Sequence, residues 1–206
     1  MLSYHFEPAT FVPIPLHSGH IDAICSLLET VRLGLSEDQR HFLKPRSHEN
    51  LSQHFIDQHG AIGILNGNGQ LVACALLRHL GQSTDAYDRQ NFPDHHFKYG
   101  HWAVQSVAVH PEYGSKGLMA ALLGKLHDMA TDDPLTYQHF VAKVSRDNWR
   151  SGQGFSKMGY SVTSEAVDPV LGHPVVYFGF TPSLGLAQPD AKPLDSQHHG
   201  WKRTLT

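Results

Sequence analysis

The stretch Ser106-Val-Ala-Val-His-Pro-Glu-Tyr-Gly-Ser-Lys-Gly-Leu-Met-Ala-Ala-Leu-Leu123 carries the most legible chemistry in the chain. An apolar, β-branched run ends at Pro111, a short loop holds Gly114 and Gly117, and an amphipathic helix opens directly behind it. The first N–H groups of a helix have no intrahelical partners, and the helix dipole places partial positive charge behind them. Such an end binds a phosphate or pyrophosphate, and small residues let the anion approach the backbone. Lys116 adds a point charge beside it. Other phosphate loops fit less well. A P-loop needs Gly, four residues and then Gly-Lys-Ser/Thr, whereas Lys116 precedes Gly117. A dinucleotide fingerprint needs Gly-x-Gly-x-x-Gly on a parallel sheet. No Gly-x-Ser-x-Gly surrounds Ser115, which excludes a nucleophile elbow.

The second chemical feature is histidine. Seventeen stand in a chain of 206 residues whose formal charge is −3. Protonating all of them against ionised carboxylates would carry the charge to +14, so charge depends steeply on pH near the imidazole reference of about 6.5. His95-His96 and His198-His199 are adjacent pairs in polar segments, and neither His-Glu-x-x-His nor Cys-x-x-Cys occurs, so the pattern points to solvated residues and to no metal. The sixteen basic residues form no block, which argues against a nucleic-acid surface. Cys25 and Cys74 are isolated thiols in apolar runs, so a disulfide scaffold is excluded. No apolar run reaches the length of a membrane span, and MLSYHFEPAT lacks the pattern of a secretory signal. The expectation is a soluble, reducing, cytoplasmic protein.

Periodicity supplies the elements that would hold this chemistry. Residues 3–7 allow a first strand; Ile21, Ile24, Leu27, Leu28, Val31 and Leu35 predict a helix over 18–35, with a second helix over 49–58. Strands at 61–65 and 71–77 flank Asn66-Gly-Asn-Gly69, a hairpin signal because its turn needs positive φ. Residues 81–100 read as a long aperiodic connection of the kind that forms a lid or binding loop. Then come a central strand, a helix from Gly117, a strand at 140–144, a helix at 148–158 and a hairpin of 161–167 with 175–180. The class is α+β with a mixed, mostly antiparallel central sheet flanked by helices. One domain is expected over 1–180, followed by a polar, Pro-containing tail over 181–206 that is mobile or docked.

Two segments in this order resemble the GCN5-related N-acetyltransferases. Val107-Ala-Val-His-Pro followed by Gly114-Ser-Lys-Gly-Leu-Met119 resembles that family's strand V-x-V, often x-P, then Arg/Gln-x-x-Gly-x-Gly/Ala opening a helix. Asn148-Trp-Arg-Ser-Gly-Gln-Gly-Phe-Ser-Lys-Met-Gly-Tyr160 resembles its Asn-x-x-Ala-x-x-x-Tyr-x-x-x-Gly-Phe segment. The resemblance covers about residues 3–180 and implies a single domain that binds acetyl-coenzyme A, or another short acyl-coenzyme A, as co-substrate.

It also implies a division of labour. The backbone of Val107, Ala108 and Val109 would pair with the pantetheine arm, and Gly114, Ser115, Lys116, Gly117, Leu118, Met119 and Ala120 would hold the pyrophosphate. Asn148 would contact the cofactor from the next helix, and the strands around 105–107 and 141–144 would splay to admit the thioester. A small-molecule amine would attack the acyl carbon directly. A general base with a pKa near 7 is needed to take the ammonium proton; His101, at the entry to the central strand, and Glu112, in the turn after it, are the candidates. Glu37, Asp38, Asp85, Asp88, Asp94 and Asp168 stand in segments that would meet the acceptor and could draw a cationic amine.

Three departures bear on activity. Gly114 replaces the usual Arg/Gln, Met119 stands where Gly or Ala is usual, and Phe155 stands where the family commonly has the Tyr that protonates the leaving thiolate. Tyr160 and Tyr113 are weaker donors for that proton. A non-catalytic acyl-coenzyme A sensor of the same fold is the alternative; a His-rich metal or pH-responsive binder is a third reading. Homodimerisation through a sheet edge or the tail is compatible with the sequence.

Overall fold

The computed structural model describes residues 11–80, 101–132, 139–169 and 172–181. Strand β1 (Pro13–Pro15) leads through a single 3-10 turn into helix α1 (Ile21–Leu33). A 3-10 stretch, Glu37–Phe42, precedes α2 (His48–Ile56), and β2 (Gly60–Leu65) and β3 (Leu71–His79) form the predicted hairpin. β4 (His101–Val109), α3 (Leu118–Asp132), β5 (His139–Ser145), α4 (Trp149–Lys157), β6 (Ser161–Val167) and β7 (Pro174–Phe180) complete the order. The expected strand at 3–7, the loop 81–100 and the tail from 182 onward lie outside the described residues.

The seven strands form one sheet in the order β1-β2-β3-β4-β5-β7-β6, with every pairing antiparallel except β4 with β5. The β2–β3 turn is closed by its own side chain: Asn66 Oδ1 accepts from the N–H groups of Asn68 and Gln70, both at 3.0 Å, and Gly69 takes φ +76°. Pro13 and Pro15 form the short edge strand β1, where a missing N–H costs no ladder bond on the outer side.

Both faces of the sheet are covered. On one, Leu118, Leu122 and Leu126 of α3 and Phe155 of α4 pack on Ile62, Ala73, Ala75, Val104 and Phe140. On the other, Ile24, Leu27 and Leu28 of α1 and Leu51 of α2 pack on Cys74, Leu76 and Ala108. Alternate residues of β3 therefore serve opposite cores, which is why Leu71–Leu77 reads as one unbroken apolar run. Burial of Cys74 among these groups pushes its thiol up to about 12, leaving it an inert hydrophobe at neutral pH.

Candidate active site

The site is made by a divergence within the sheet. β4 and β5 pair at His101↔His139, Trp102↔Phe140 and Ala103↔Val141, and their ladder ends there. Beyond that point β4 stays with β3, as far as Ala73↔Val109, and β5 stays with β7, as far as Ser145↔Val175. The cause is local. Leu76 pairs with Gln105 and Cys74 with Ala108, so Ser106 and Val107 together oppose Ala75, and Ser106 takes φ +46°. An extra residue of this kind bends the strand and increases its twist. The edge of β4 that faces β5 is thereby left open to an added extended chain, whose amides can pair with it as a neighbouring strand would.

A cleft of about 580 Å³ occupies the gap. Val104–Val107 and Lys143–Ser145 form its two strand walls, and Asn148, the N-cap of α4, with Ser151 and Phe155 of α4 line it from one face of the sheet. From the other face come His41–Lys44 and Arg46, then Asn50, Gln53 and His54 of α2, with Arg78 of β3; Asp168 and His173 close it at the β6–β7 end. The opening therefore passes through the sheet, from the α3/α4 side to the α1/α2 side.

Just past the open end of β4 lies the glycine turn expected from the sequence. Pro111–Tyr113 form one 3-10 turn, Ser115 and Gly117 take φ +63° and +74°, and α3 starts at Leu118. Its first helical bond is Ala121 N–H to Gly117 C=O, so the N–H groups of Leu118, Met119 and Ala120 are first-turn donors. Gly114 through Gly117 are exposed. A Cβ on Gly117 would touch nothing within 4 Å, leaving the backbone open to an anion. Lys116 Nζ lies 4.6 Å from the centre of the Tyr113 ring. Met119 does not obstruct this mouth. Its thioether is turned to α4, so close to Gly154 that a Cβ there would lie 2.5 Å from the sulfur. A bulky residue on α3 is accommodated by a missing side chain on α4.

Asn148 lines the cleft and caps α4, its Oδ1 accepting from Ser151 N–H at 3.3 Å, which leaves its NH2 group as a donor. Phe155 is 2% exposed and lines the cleft, placing an apolar ring where the related segment carries a phenol. Tyr160 does not replace it: its hydroxyl is buried, burial raises its pKa strongly, and it is not a lining residue. Tyr113 is engaged elsewhere, accepting from Asn66 Nδ2 at 3.0 Å. The hydroxyls that do line the cleft are those of Ser106, Ser145 and Ser151.

The two bases expected from the sequence are not brought to this cleft. His101 is 0% exposed, at the paired end of the β4–β5 junction, with its ring stacked 5.3 Å from that of His139. Glu112 is exposed in the turn after β4 and is not among the lining residues. Four other imidazoles line the cleft instead: His41, His54, His59 and His173. His41 of the 3-10 stretch stacks on His173 of the β6–β7 turn at 4.4 Å and lies 3.4 Å from Ser145 Oγ. His54 is 8% exposed, and its Nε2–H donates to Gly60 C=O at 2.8 Å, which fixes the neutral tautomer with Nδ1 as acceptor. Burial, reinforced by His59, Arg46 and Arg78, holds His54 below the usual imidazole range, although the Gly60 carbonyl opposes this. Burial and Arg78 act the same way on His59.

Of the acidic residues expected to draw an ammonium, Asp168 lines the cleft, 2% exposed and bound to Lys143 Nζ at 2.9 Å, whereas Glu37 and Asp38 do not; Asp57, not singled out in the sequence, also lines it and accepts from Gln53 Nε2 at 2.7 Å. Asp85, Asp88 and Asp94 lie outside the described residues. Arg46 donates to Gln105 Oε1 at 3.2 Å, joining the α1–α2 segment to β4 at the divergence. None of His41, Arg46, His54 or Arg78 shares a sequence motif with its neighbours in the cleft. Only the apposition of α2, β3 and β4 makes them a group.

Among the described residues no cluster of three or more His, Cys, Asp or Glu is placed to hold a metal ion, and no helix is long and apolar enough to cross a membrane.

An open seven-stranded sheet with two parallel strands diverging in front of a glycine turn and helix is the architecture of the GNAT acetyltransferases. The family model for the acetyltransferase (GNAT) family matches residues 28–160, and the chain belongs to that family. No curated protein sequence matches it significantly. Among solved structures it is similar to a GNAT-superfamily phosphinothricin acetyltransferase from Sinorhizobium meliloti in complex with acetyl-coenzyme A. That match has TM-score 0.62 and 15% identity, covering 87% of this chain and 92% of that one. It is also similar to the ribosomal-protein-S18-alanine N-acetyltransferase from Escherichia coli (TM-score 0.60, 14% identity, 84% and 94% covered). A GNAT-family acetyltransferase from Streptococcus pneumoniae gives TM-score 0.61 at 10% identity, with 84% and 99% covered. At these identities the likeness is one of fold.

Proposed function

We propose that the protein transfers an acetyl group from acetyl-coenzyme A to the amine of a small molecule. The observation that carries the reading is the end of the β4–β5 ladder at Ala103↔Val141, immediately before the turn that opens α3. One strand edge can take the amides of the pantetheine arm along Val107, Ala108 and Val109. The exposed turn Gly114–Gly117 and the first turn of α3, Leu118–Ala120, can take the pyrophosphate on backbone N–H groups, and Asn148 donates from the N-cap of α4. Binding the cofactor as an added strand directs its thioester into the gap, where the cleft admits an acceptor from the opposite face of the sheet.

The co-substrate supplies the activated acyl carbon. The chain's own residues must place the amine, keep it deprotonated and accept its proton. The amine nitrogen bonds to the acyl carbon as the C–S bond breaks; the nitrogen loses a proton and the departing sulfur takes one. His54 is the group best suited to receive the amine's proton, because it is neutral, tautomerically fixed and part of the cleft lining. With Phe155 in the wall, the thiolate is protonated by Ser145, Ser151 or solvent.

The test is release of free thiol from acetyl-coenzyme A across a panel of amines, with the acetylated product identified by mass. Transfer to at least one small amine, lost in Gly117→Asp together with cofactor affinity, supports the reading. The hydroxyl-free ring of Phe155 favours a second reading, a sensor that binds the cofactor without turning it over; tight binding with no thiol release and no product would support that one.

A further inference from the structure

Attack of an amine on a thioester moves two protons at different atoms: the nitrogen loses one and the departing sulfur gains one. The cleft carries a held imidazole on each of two walls. His54 is fixed on the side of β2 by its bond to Gly60 C=O. His41 is fixed on the side of β5. Its ring stacks on His173 at 4.4 Å, meets Phe42 edge-on at 4.6 Å, and presents Nε2 3.4 Å from Oγ of Ser145, the last residue of β5. His173 is itself tied to β5. Its C=O accepts from Asp168 N–H at 2.9 Å, Asp168 is ion-paired to Lys143 at 2.9 Å, and Arg146 N–H donates to Pro174 C=O at 2.9 Å. The three hydroxyls in the described lining are therefore not equivalent. Ser106 lies in the β4 bulge and Ser151 in the first turn of α4, whereas Ser145 is, among the described residues, the one with an imidazole in hydrogen-bonding reach.

We propose that Ser145, with His41 behind it, protonates the departing thiolate in place of the phenol that Phe155 lacks. As the amine nitrogen bonds to the acyl carbon and the C–S bond breaks, Ser145 Oγ–H gives its proton to sulfur. The oxygen recovers one from His41 Nε2–H, and the half-buried imidazole is reprotonated from solvent. The amine's own proton leaves on the other wall, to His54. A hydroxyl, an imidazole and a third group that orients the imidazole are the parts from which proteins build proton transfer through a serine. Here the orienting group is the stacked ring of His173. Hydrogen bonds of this kind tighten as the reacting molecule binds. Ser145 meets the sulfur and is the catalytic residue; His41 acts through it and is a positioning residue.

The inference rests on the acetyl-transfer reading and is tested so that the two can fail separately. Full-length protein is assayed with saturating acetyl-coenzyme A and hydroxylamine, a small nucleophile that is uncharged at neutral pH and needs no deprotonation before it attacks. Thiol release is followed with a disulfide dye and the hydroxamate by mass. Expected is a rate about a hundredfold lower in Ser145→Ala and in His41→Gln, the lower end of what a positioned proton transfer supplies, with the KM for acetyl-coenzyme A unchanged. The double variant should be no slower than Ser145→Ala, because both residues act in one chain. His41→Gly should regain rate when imidazole is added. Phe155→Tyr, by supplying a phenol, should bring Ser145→Ala back to within about tenfold of wild type. Unchanged melting temperatures confirm that each variant is folded. A wild-type rate in Ser145→Ala, losses that add in the double variant, or a loss that Phe155→Tyr leaves in place overturns the proposal while N-acetyl transfer stands. If the wild-type protein binds acetyl-coenzyme A yet releases thiol to neither hydroxylamine nor any amine, the proposal and the transfer reading fall together.

Discussion

The two ends of the β4–β5 junction are built from the same pair of parallel strands and do opposite things. At the paired end, His101, Ala103 and Val141 are 0–1% exposed and the strands are laddered. At the other, Gln105, Val107, Lys143 and Ser145 are partly exposed and face a cavity. Ala103 and Gln105 are two residues apart, so neither composition nor propensity separates core from cleft. The bulge at Ser106–Val107 does, since it turns β4 after β3 while β5 follows β7. A histidine at the start of β4 is therefore a core residue, and His54 on α2, distant in sequence, lines the cleft.

This contrast can be broken by experiment. The largest effect is expected at the turn serving the open end: Gly117→Asp places a carboxylate against the pyrophosphate and should weaken acetyl-coenzyme A binding more than about a hundredfold by calorimetry. A wild-type affinity would remove the turn from the site. Next, His54→Gln and His101→Gln should part company. The first should lower kcat by about a hundredfold, the scale of general base catalysis, with little change in cofactor affinity. The second should lower the melting temperature and spare kcat at saturating substrate. The reverse outcome would return the base to the paired end of the junction.

A smaller gain is expected from Phe155→Tyr, which restores a hydroxyl to the cleft wall. Its kcat should rise by about tenfold, less than the roughly hundredfold or more that a fully positioned acid supplies. No gain would place thiolate protonation on a serine or on water.

The smallest effect is on stability against pH. Burial holds His54, His59 and His127 below the ordinary imidazole range, so the unfolded chain binds more protons than the folded one near and below pH 6.5. Their contribution is complete above the unfolded value and is lost as pH falls through and below it. His127 stacks on Phe180 at 3.8 Å, so His127→Phe should keep the ring contact and flatten this acid loss. The difference in melting temperature between pH 7 and 5 should shrink by about 2–4 °C, the shift expected for roughly 1 kcal/mol in a protein of this size.

Much of the frame was legible in the chain. Ile21, Ile24, Leu27 and Leu28 gave α1, and Asn66-Gly-Asn-Gly69 gave the hairpin, because helix faces and tight turns depend on residues close in sequence. The glycine turn before α3 and the Asn148 cap of α4 were readable for the same reason, each being a strand–turn–helix feature contained in one short segment. The burial of His101 was not: it met the local criteria for a base, yet it is 0% exposed and stacked on His139, which enters from β5. The ion pair of Asp168, in the β6–β7 turn, with Lys143 of β5 was not legible either, because it joins segments 25 residues apart.

The sequence by itself determined a helix-flanked, mostly antiparallel sheet and a glycine turn that opens a helix, both written in spacings of a few residues. The tertiary structure alone decided where the sheet opens and which charges meet there. Arg46 comes from the segment before α2, His54 from α2, Arg78 from β3 and Gln105 from β4, and they line one cleft only because these segments meet where β5 turns away. A local pattern records what one segment prefers, whereas a site assembled from several segments depends on packing between them, which no single segment encodes.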